Sequence, residues 1–231
     1  MGEDDMGLAG KVAVVAGGGA KGDGIGNGRA ACILLARAGA KVVVVDRDEA
    51  LAKRTVEMIE AEGGTALAVA ADVTAGKDCA RVVEAATEAY GGIDVLDNNV
   101  GIGSRKSVIE EDPDEWERVM HVNVRSIFML SKHVIPVMVA RGGGAIVNIS
   151  SISALRPRGL TAYSASKGAV IALSRAMAVD HASQGVRVNC IAPGPVLTPM
   201  VGGADMEPDR REMRRKASPL GMEGTGWDIG N

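Results

Sequence analysis

Aromatic side chains are nearly absent from this 231-residue chain: one Phe, two Tyr and two Trp, 2% in all. A protein that stacks single-stranded nucleic acid needs a row of such rings, so that class is excluded. A charge excess of one sign is missing too. Lys and Arg number 26 against 29 Asp and Glu, a formal net charge of -3. Nucleic-acid binders carry a clear basic excess, so no nucleic-acid partner is expected. The three cysteines, Cys32, Cys79 and Cys190, are far apart and odd in number. They define neither a disulfide framework nor a thiolate metal site. Free thiols suit a reducing compartment, and a cytoplasmic location is the expectation. The opening MGEDDMG is acidic and lacks an apolar signal core. Consecutive apolar runs such as Val42–Val45 are far too short for a bilayer span, so no membrane partner is expected. His121, His133 and His181 have no ligand spacing, and no metal is expected.

What the chain does have is glycine, 31 residues of it, within an ordinary globular balance of 46% hydrophobic and 24% charged residues. Short β-branched runs alternate with helical stretches. Strands are expected at Val12–Ala16, Lys41–Val45, Ala66–Ala70, Ile93–Leu96, Ala145–Ile149 and Val186–Cys190. Helices are expected over Arg29–Ala38, from an Asp48 cap to Glu62, from a Thr74 cap to Gly91-Gly92, and over Thr161–Ser183. Asp112-Pro113-Asp114-Glu115 starts another, running to Ala140 with a kink at Pro136. The run at Lys41–Val45 is apolar on both faces, which suits a strand covered by helices on both sides. The alternation predicts an α/β fold: a Rossmann-like doubly wound parallel sheet in a single domain, residues 1–231.

The glycines cluster where chemistry is expected. The first strand runs into Gly17–Gly28 and then into a helix. Such a turn lets backbone amides approach a pyrophosphate at the helix N-terminus. Asp46 ends the second strand, 18 residues beyond Gly28, where a carboxylate can accept both ribose hydroxyls of an adenosine. The register of the turn has two readings. One centres on Gly24-Ile25-Gly26. The other, counted back from Gly39, centres on Gly26-Asn27-Gly28 and places about five extra loop residues near Ala20–Asp23.

With these features the sequence resembles the short-chain dehydrogenase/reductase family. The resemblance is carried in order by the glycine turn, Asp72-Val73, NNVG at Asn98–Gly101, Asn123, NISS at Asn148–Ser151, YSASK at Tyr163–Lys167, and PGPVLT at Pro193–Thr198. It implies that Tyr163 is the acid/base and that Lys167 supports it and holds the nicotinamide ribose. Tyr163 and Lys167 share one helix face. A nearby ammonium should lower the tyrosine pKa toward neutral pH. The resemblance also implies that Ser151 binds the substrate oxygen, with Ser150 as the alternative, and that Asn123 holds a water of a proton relay. Gly17, Gly26, Asn27 and Gly28 would hold the pyrophosphate. Asp72 and Val73 would flank the adenine, and Asn99 and Gly101 would line the cofactor. Val196 and Thr198 would hold the carboxamide, with Pro193-Gly194 turning the chain beneath the ring.

Three departures from the family pattern stand out. Ala16 replaces a threonine, and Asp97 replaces an apolar residue. The chain also stops at GTGWDIGN, so the fold is expected to lack the final helix and edge strand. Arg210, Arg211, Arg214, Arg215 and Lys216 interleave with acids and read as a solvated helix. Arg156 and Arg158 are candidates for a substrate anion. Met200, Met206 and Met213 could line an apolar pocket. The expected activity is hydride transfer between NAD, preferred over NADP, and a small secondary alcohol or ketone. The alternatives are an NADPH-dependent reductase of 3-oxoacyl or other carbonyl substrates and a catalytically silent dinucleotide-binding module. A homodimer through the two long helices is expected, with a tetramer doubtful.

Overall fold

Valine-rich runs form the middle of a single parallel sheet in this computed structural model, which describes residues 7–157, 159–203 and 206–231. In chain order its first half contains β1 (Val12–Ala16), α1 (Asn27–Arg37), β2 (Lys41–Asp46), α2 (Glu49–Ala61), β3 (Thr65–Ala70), α3 (Gly76–Tyr90) and β4 (Val95–Asn98). The second half contains α4 (Pro113–Met120), α5 (Ser126–Ala140), β5 (Gly144–Ile149), α6 (Thr161–His181) and β6 (Val186–Ile191). All six strands run parallel in the order β3-β2-β1-β4-β5-β6. The order reverses between β1 and β4, and at such a switch point the strand C-termini open a crevice.

Alternation along each strand feeds two cores. Val14, Ala16, Val43, Val45, Leu96 and Ile146 face one core, closed by α3, α5 and α6. Val15, Val42 and Val44 face the other, closed by α1 and α2. Asp48 caps α2 by accepting from the amides of Ala50 and Leu51. Asp112 caps α4 in the same way, with Pro113 in the first turn.

Two expectations need correcting. The fourth strand is Val95–Asn98, not Ile93–Leu96. Ile93 is buried, but it precedes the ladder that pairs Ala13–Ala16 with Val95–Asn98. Asp97 therefore lies inside the sheet. Thr74 does not cap α3: its hydroxyl donates to Asp72 Oδ1 at 2.7 Å, and Ala75 takes the cap position without a side-chain bond. Pro136 lies within α5, and a π turn at His121–Arg125 joins α4 to α5. Pro113–Ala140, 28 residues with a mean hydropathy of 1.2 over its most apolar stretch, is long and apolar enough to cross a bilayer by length and composition. Here Val119, Ile127, Leu130, Val134 and Met138 are buried within the fold.

Beyond β6 the chain adds β7 (Val196–Leu197), α7 (Pro208–Lys216), β8 (Gly224–Thr225) and α8 (Gly226–Gly230). β7 pairs with β8, and Asp228 closes a capping box with Thr225. α8 lies directly on α1. A Cβ on Gly226 would come within 2.9 Å of the Ile25 carbonyl, and one on Gly230 within 2.7 Å of the Ala31 amide. Trp227 packs against the second core, with the Arg37 guanidinium 5.3 Å from its ring centre.

Candidate active site

Every family-implied segment ends up at the C-terminal edge of the sheet or just beyond it. The glycine turn follows β1 and Asp46 ends β2. Asp72-Val73 follows β3, Asn99–Gly101 follows β4, Ser151 follows β5, and Pro193–Thr198 follows β6.

On the glycine side, α1 begins at Asn27, so Gly26-Asn27-Gly28 occupies its N-terminus. Gly17 takes φ +79, a left-handed conformation that glycine adopts without strain. A Cβ on Gly28 would fall 2.1 Å from the Gly17 carbonyl oxygen. The turn is therefore folded back on the helix start more tightly than any side chain permits. Gly19 lies against the Asp46 carboxylate and Leu51. The Asp46 carboxylate accepts from the Gly19 amide and from the Asp48 amide, both at 3.1 Å. Asn27 Oδ1 is buried with no hydrogen-bond partner among the described residues. A helix N-terminus, a side-chain-free cradle, an orphaned polar atom and a carboxylate at the next strand end together fit a dinucleotide.

Sequence reasoning missed Arg29, which is fully buried in the first turn of α1. Its Nη1 donates to the carbonyls of Gly22 (2.7 Å) and Gly24 (2.8 Å), Nη2 to that of Ala20 (2.7 Å), and Nε to Thr55 Oγ1 (2.9 Å). Thr55 Oγ1 donates in turn to the Gly18 carbonyl at 2.9 Å. Burial pulls the guanidinium pKa down, and the Asp23 charge opposes that shift. The available signal was a charge set among Gly28, Ala30, Ala31 and Cys32, small residues that offer it no solvent.

On the other side of the crevice, Tyr163 and Lys167 stand one turn apart near the start of α6. The Lys167 ammonium is 5.8 Å from the Tyr163 ring centre and donates to the Ile149 carbonyl at 2.7 Å. Ser151 lies beside the Tyr163 hydroxyl, and its oxygen accepts from the Ser153 amide at 3.1 Å. Ser150 points elsewhere, donating to the Lys167 carbonyl at 2.7 Å. The tyrosine pKa departs from expectation. Burial pushes it up, with the Ser151 side chain opposing, and burial brings Lys167 down to about 8. Desolvation disfavours both charged forms and outweighs the expected help from the ammonium.

Asn123, in the π turn, donates to the Ile102 carbonyl and to Ser166 Oγ, both at 2.9 Å, and accepts from the Ile102 amide at 2.7 Å. Its side chain thus pins the Gly101-Ile102 segment, and a Cβ on Gly101 would reach Lys167 Nζ at 3.2 Å. A neutral ladder, also missed, fixes α6 to the sheet. Asn98 donates to Asn148 Oδ1 (2.8 Å), and Asn148 donates to Ser174 Oγ (2.9 Å).

Asp97 is buried on the opposite face of β4 from Asn98, and its Oδ2 accepts from the Asn99 side-chain amide at 2.8 Å. Oδ1 has no partner among the described residues, and burial pushes the carboxyl pKa up to about 7. Asp72 is exposed and held below the usual carboxylate range by Thr74. Val73 and Thr198 are buried. The Pro193 carbonyl accepts from the Ile152 amide, and Gly194 is exposed at the same turn. The Val196 carbonyl accepts from Arg214, which also pairs with Glu223 at 2.6 Å. Arg211, Arg215 and Lys216 have acidic partners as well. Arg156 is exposed, and Arg158 lies outside the described residues. Met206 is buried, while Met200 and Met213 are exposed.

Comparison with known proteins agrees with this geometry. A family model described as short chain dehydrogenase matches residues 11–208. The 2,5-dichloro-2,5-cyclohexadiene-1,4-diol dehydrogenase of Sphingobium indicum is 39% identical over 225 residues, 97% of this chain and 87% of that protein. The crystal structure of a putative short-chain dehydrogenase/reductase from Burkholderia xenovorans superposes with a TM-score of 0.91 at 39% identity, covering 97% of this chain and 87% of that one. The 3-ketoacyl-(acyl-carrier-protein) reductase of Brucella melitensis, solved with NADH, gives 0.86 at 35% identity over 96% of this chain and 88% of that one. The chain belongs to the short-chain dehydrogenase/reductase family, oxidoreductases that act on CH–OH groups.

Proposed function

We propose that this enzyme interconverts a small secondary alcohol and its ketone with NAD in preference to NADP. The observation that carries the reading is the Tyr163–Ser151 pair, with Lys167 one turn on, across the strand-end crevice from the glycine turn and Asp46. Bound NAD supplies the hydride acceptor. Ser151 positions the substrate oxygen by hydrogen bonding. Tyr163 takes the hydroxyl proton during oxidation and returns it during reduction. Lys167 Nζ is anchored on the Ile149 carbonyl, which leaves its other N–H groups to bind ribose hydroxyls and keeps a cation near the phenol. Asn123 holds Gly101-Ile102 so that the cofactor can pass over Lys167. Asp46 favours two ribose hydroxyls and repels a 2′-phosphate.

The free cysteines support a reducing, cytoplasmic setting. Trp116, Phe128 and Val179 are exposed on α4, α5 and α6, which supports a homodimer built on those helices. The test is to mix the full chain with NAD or NADP and a panel of secondary alcohols and follow the absorbance of reduced nicotinamide. Turnover with clearly higher kcat/KM for NAD is expected. Equal efficiency with both cofactors would refute the role of Asp46, and no turnover across a broad panel would refute the activity.

A further inference from the structure

We propose that Arg29 is a positioning residue of the dinucleotide site, which folds the Gly18–Gly24 turn and sets a fixed positive charge beneath it for the cofactor pyrophosphate. The inference rests on the reading that this turn holds NAD.

The carbonyls gathered around Arg29 follow a strict alternation. Those of Ala20, Gly22 and Gly24 bond the guanidinium directly, and that of Gly18 is reached through Thr55. A trans peptide unit is planar, with its N–H opposed to its C=O. Drawing carbonyls 20, 22 and 24 inward therefore turns the amides of Lys21, Asp23 and Ile25 away from the guanidinium. The amide of Gly19, paired in the same sense with the Gly18 carbonyl, is the one that meets Asp46. One side chain thus sets which face of the inserted loop carries donors. Left unclamped, a glycine-rich loop of this length would lose its freedom only when the cofactor bound, at a cost to affinity.

Among the described residues the charge itself has no carboxylate in contact. Four neutral acceptors surround the guanidinium: three carbonyls and a hydroxyl. Of the ionisable groups nearby, Asp23 is exposed and paired at 2.8 Å with Arg54 on α2, and Asp46 is bonded to two backbone amides. Arg54 itself opposes the Arg29 charge. A buried cation with only neutral partners bears a desolvation penalty that a nearby anion offsets. Low local dielectric makes that attraction stronger than in water. The anion that a glycine turn at a helix N-terminus receives is a pyrophosphate.

The test uses the full chain as wild type, Arg29→Gln, Arg29→Lys and Thr55→Val. Two probes are titrated: NADH, which carries the pyrophosphate, and adenosine, which does not. Arg29→Gln should weaken NADH binding by about tenfold or more, the scale of a lost charge-assisted contact, and change adenosine binding much less. The kcat at saturating cofactor should stay within about twofold while KM for NAD rises. Arg29→Lys, which keeps the charge and loses the fork, should restore part of the NADH-to-adenosine preference. Thr55→Val removes one acceptor and the Gly18 link without touching charge, and should weaken NADH several-fold. If Arg29→Gln does not fold, that variant decides the question. Equal losses for NADH and adenosine, or unchanged NADH affinity in Thr55→Val and a folded Arg29→Gln, would overturn the inference. Failure of the wild type to bind NADH would instead refute the dinucleotide reading itself.

Discussion

The two walls of the crevice are held by opposite chemistry. The wall formed by β1, α1, β2 and α2 is ordered by charge: a buried guanidinium collects carbonyls, and a carboxylate collects amides. The wall formed by β4, β5 and α6 is ordered by neutral groups: the Asn98–Asn148–Ser174 ladder, Ser150 on the Lys167 carbonyl, and Asn123 on Ile102. The difference follows from what each wall must do. A surface for an anionic cofactor gains from a permanent field. A surface that moves one proton must keep its ionisable groups, Tyr163 and Lys167, sensitive to small changes, and fixed charges nearby would swamp them.

The contrast can be broken from either side. Tyr163→Phe should lower turnover by about 10²- to 10⁴-fold, the range for a lost general acid/base, and leave NADH affinity nearly intact. Stopped-flow turnover and NADH titration check both halves, and a variant retaining near-normal turnover would remove Tyr163 from the chemistry. Asp97, on the seam between the walls, gives the next effect. Its folded pKa of about 7 lies above the ordinary 3.8, so the folded state binds the extra proton. Stability from this group is full below about pH 4 and declines as pH rises through 7. Asp97→Asn should remove that decline, worth roughly 3 kcal/mol between pH 5 and 8. Urea midpoints of both proteins at the two pH values would show it. Parallel pH profiles would mean the carboxyl stays ionised.

Gly28→Ala attacks the charged wall alone. The added methyl collides with the Gly17 carbonyl, so NADH affinity should fall at least about tenfold. The fluorescence of Trp116 and Trp227 can confirm that the variant is folded. Lys167 gives the smallest effect. Its pKa of about 8 lies below the ordinary 10.5, so the unfolded chain binds more protons between those values. The stability contribution of this group rises with pH across that window. Lys167→Met should flatten the rise by about 1 kcal/mol between pH 8 and 9 in denaturant melts. An unchanged slope would show that the ammonium is better solvated than its burial indicates.

The sheet and helices were legible because burial imposes periods on them. Lys41–Val45 is apolar on both faces for a parallel strand, and Asp48 and Asp112 announce their helices by capping chemistry. The end of a short strand was harder to place. Ile93 has the composition of a strand residue, yet the ladder begins two residues later, because pairing with β1 sets register rather than hydrophobicity. In the long helix Pro136 is visible as an irregular residue, whereas the π turn that carries Asn123 has no marker in the sequence. In the site, residues carried by contiguous motifs could be read directly. Arg29, Thr55 and the Asn98–Asn148–Ser174 ladder could not, since their partners come from distant segments and no spacing along the chain encodes them.

The seat of α8 on α1 has a consequence for how this sequence tolerates change. Gly226 and Gly230 have no space for even one methyl, and the backbone they touch is the Ile25–Ala31 segment that carries Gly28 and Arg29. In a library of single substitutions scored for retention of NADH, these two terminal glycines should therefore be as intolerant as Gly28 itself. Leu220 and Met222, only a few residues away and exposed to solvent, should accept almost anything.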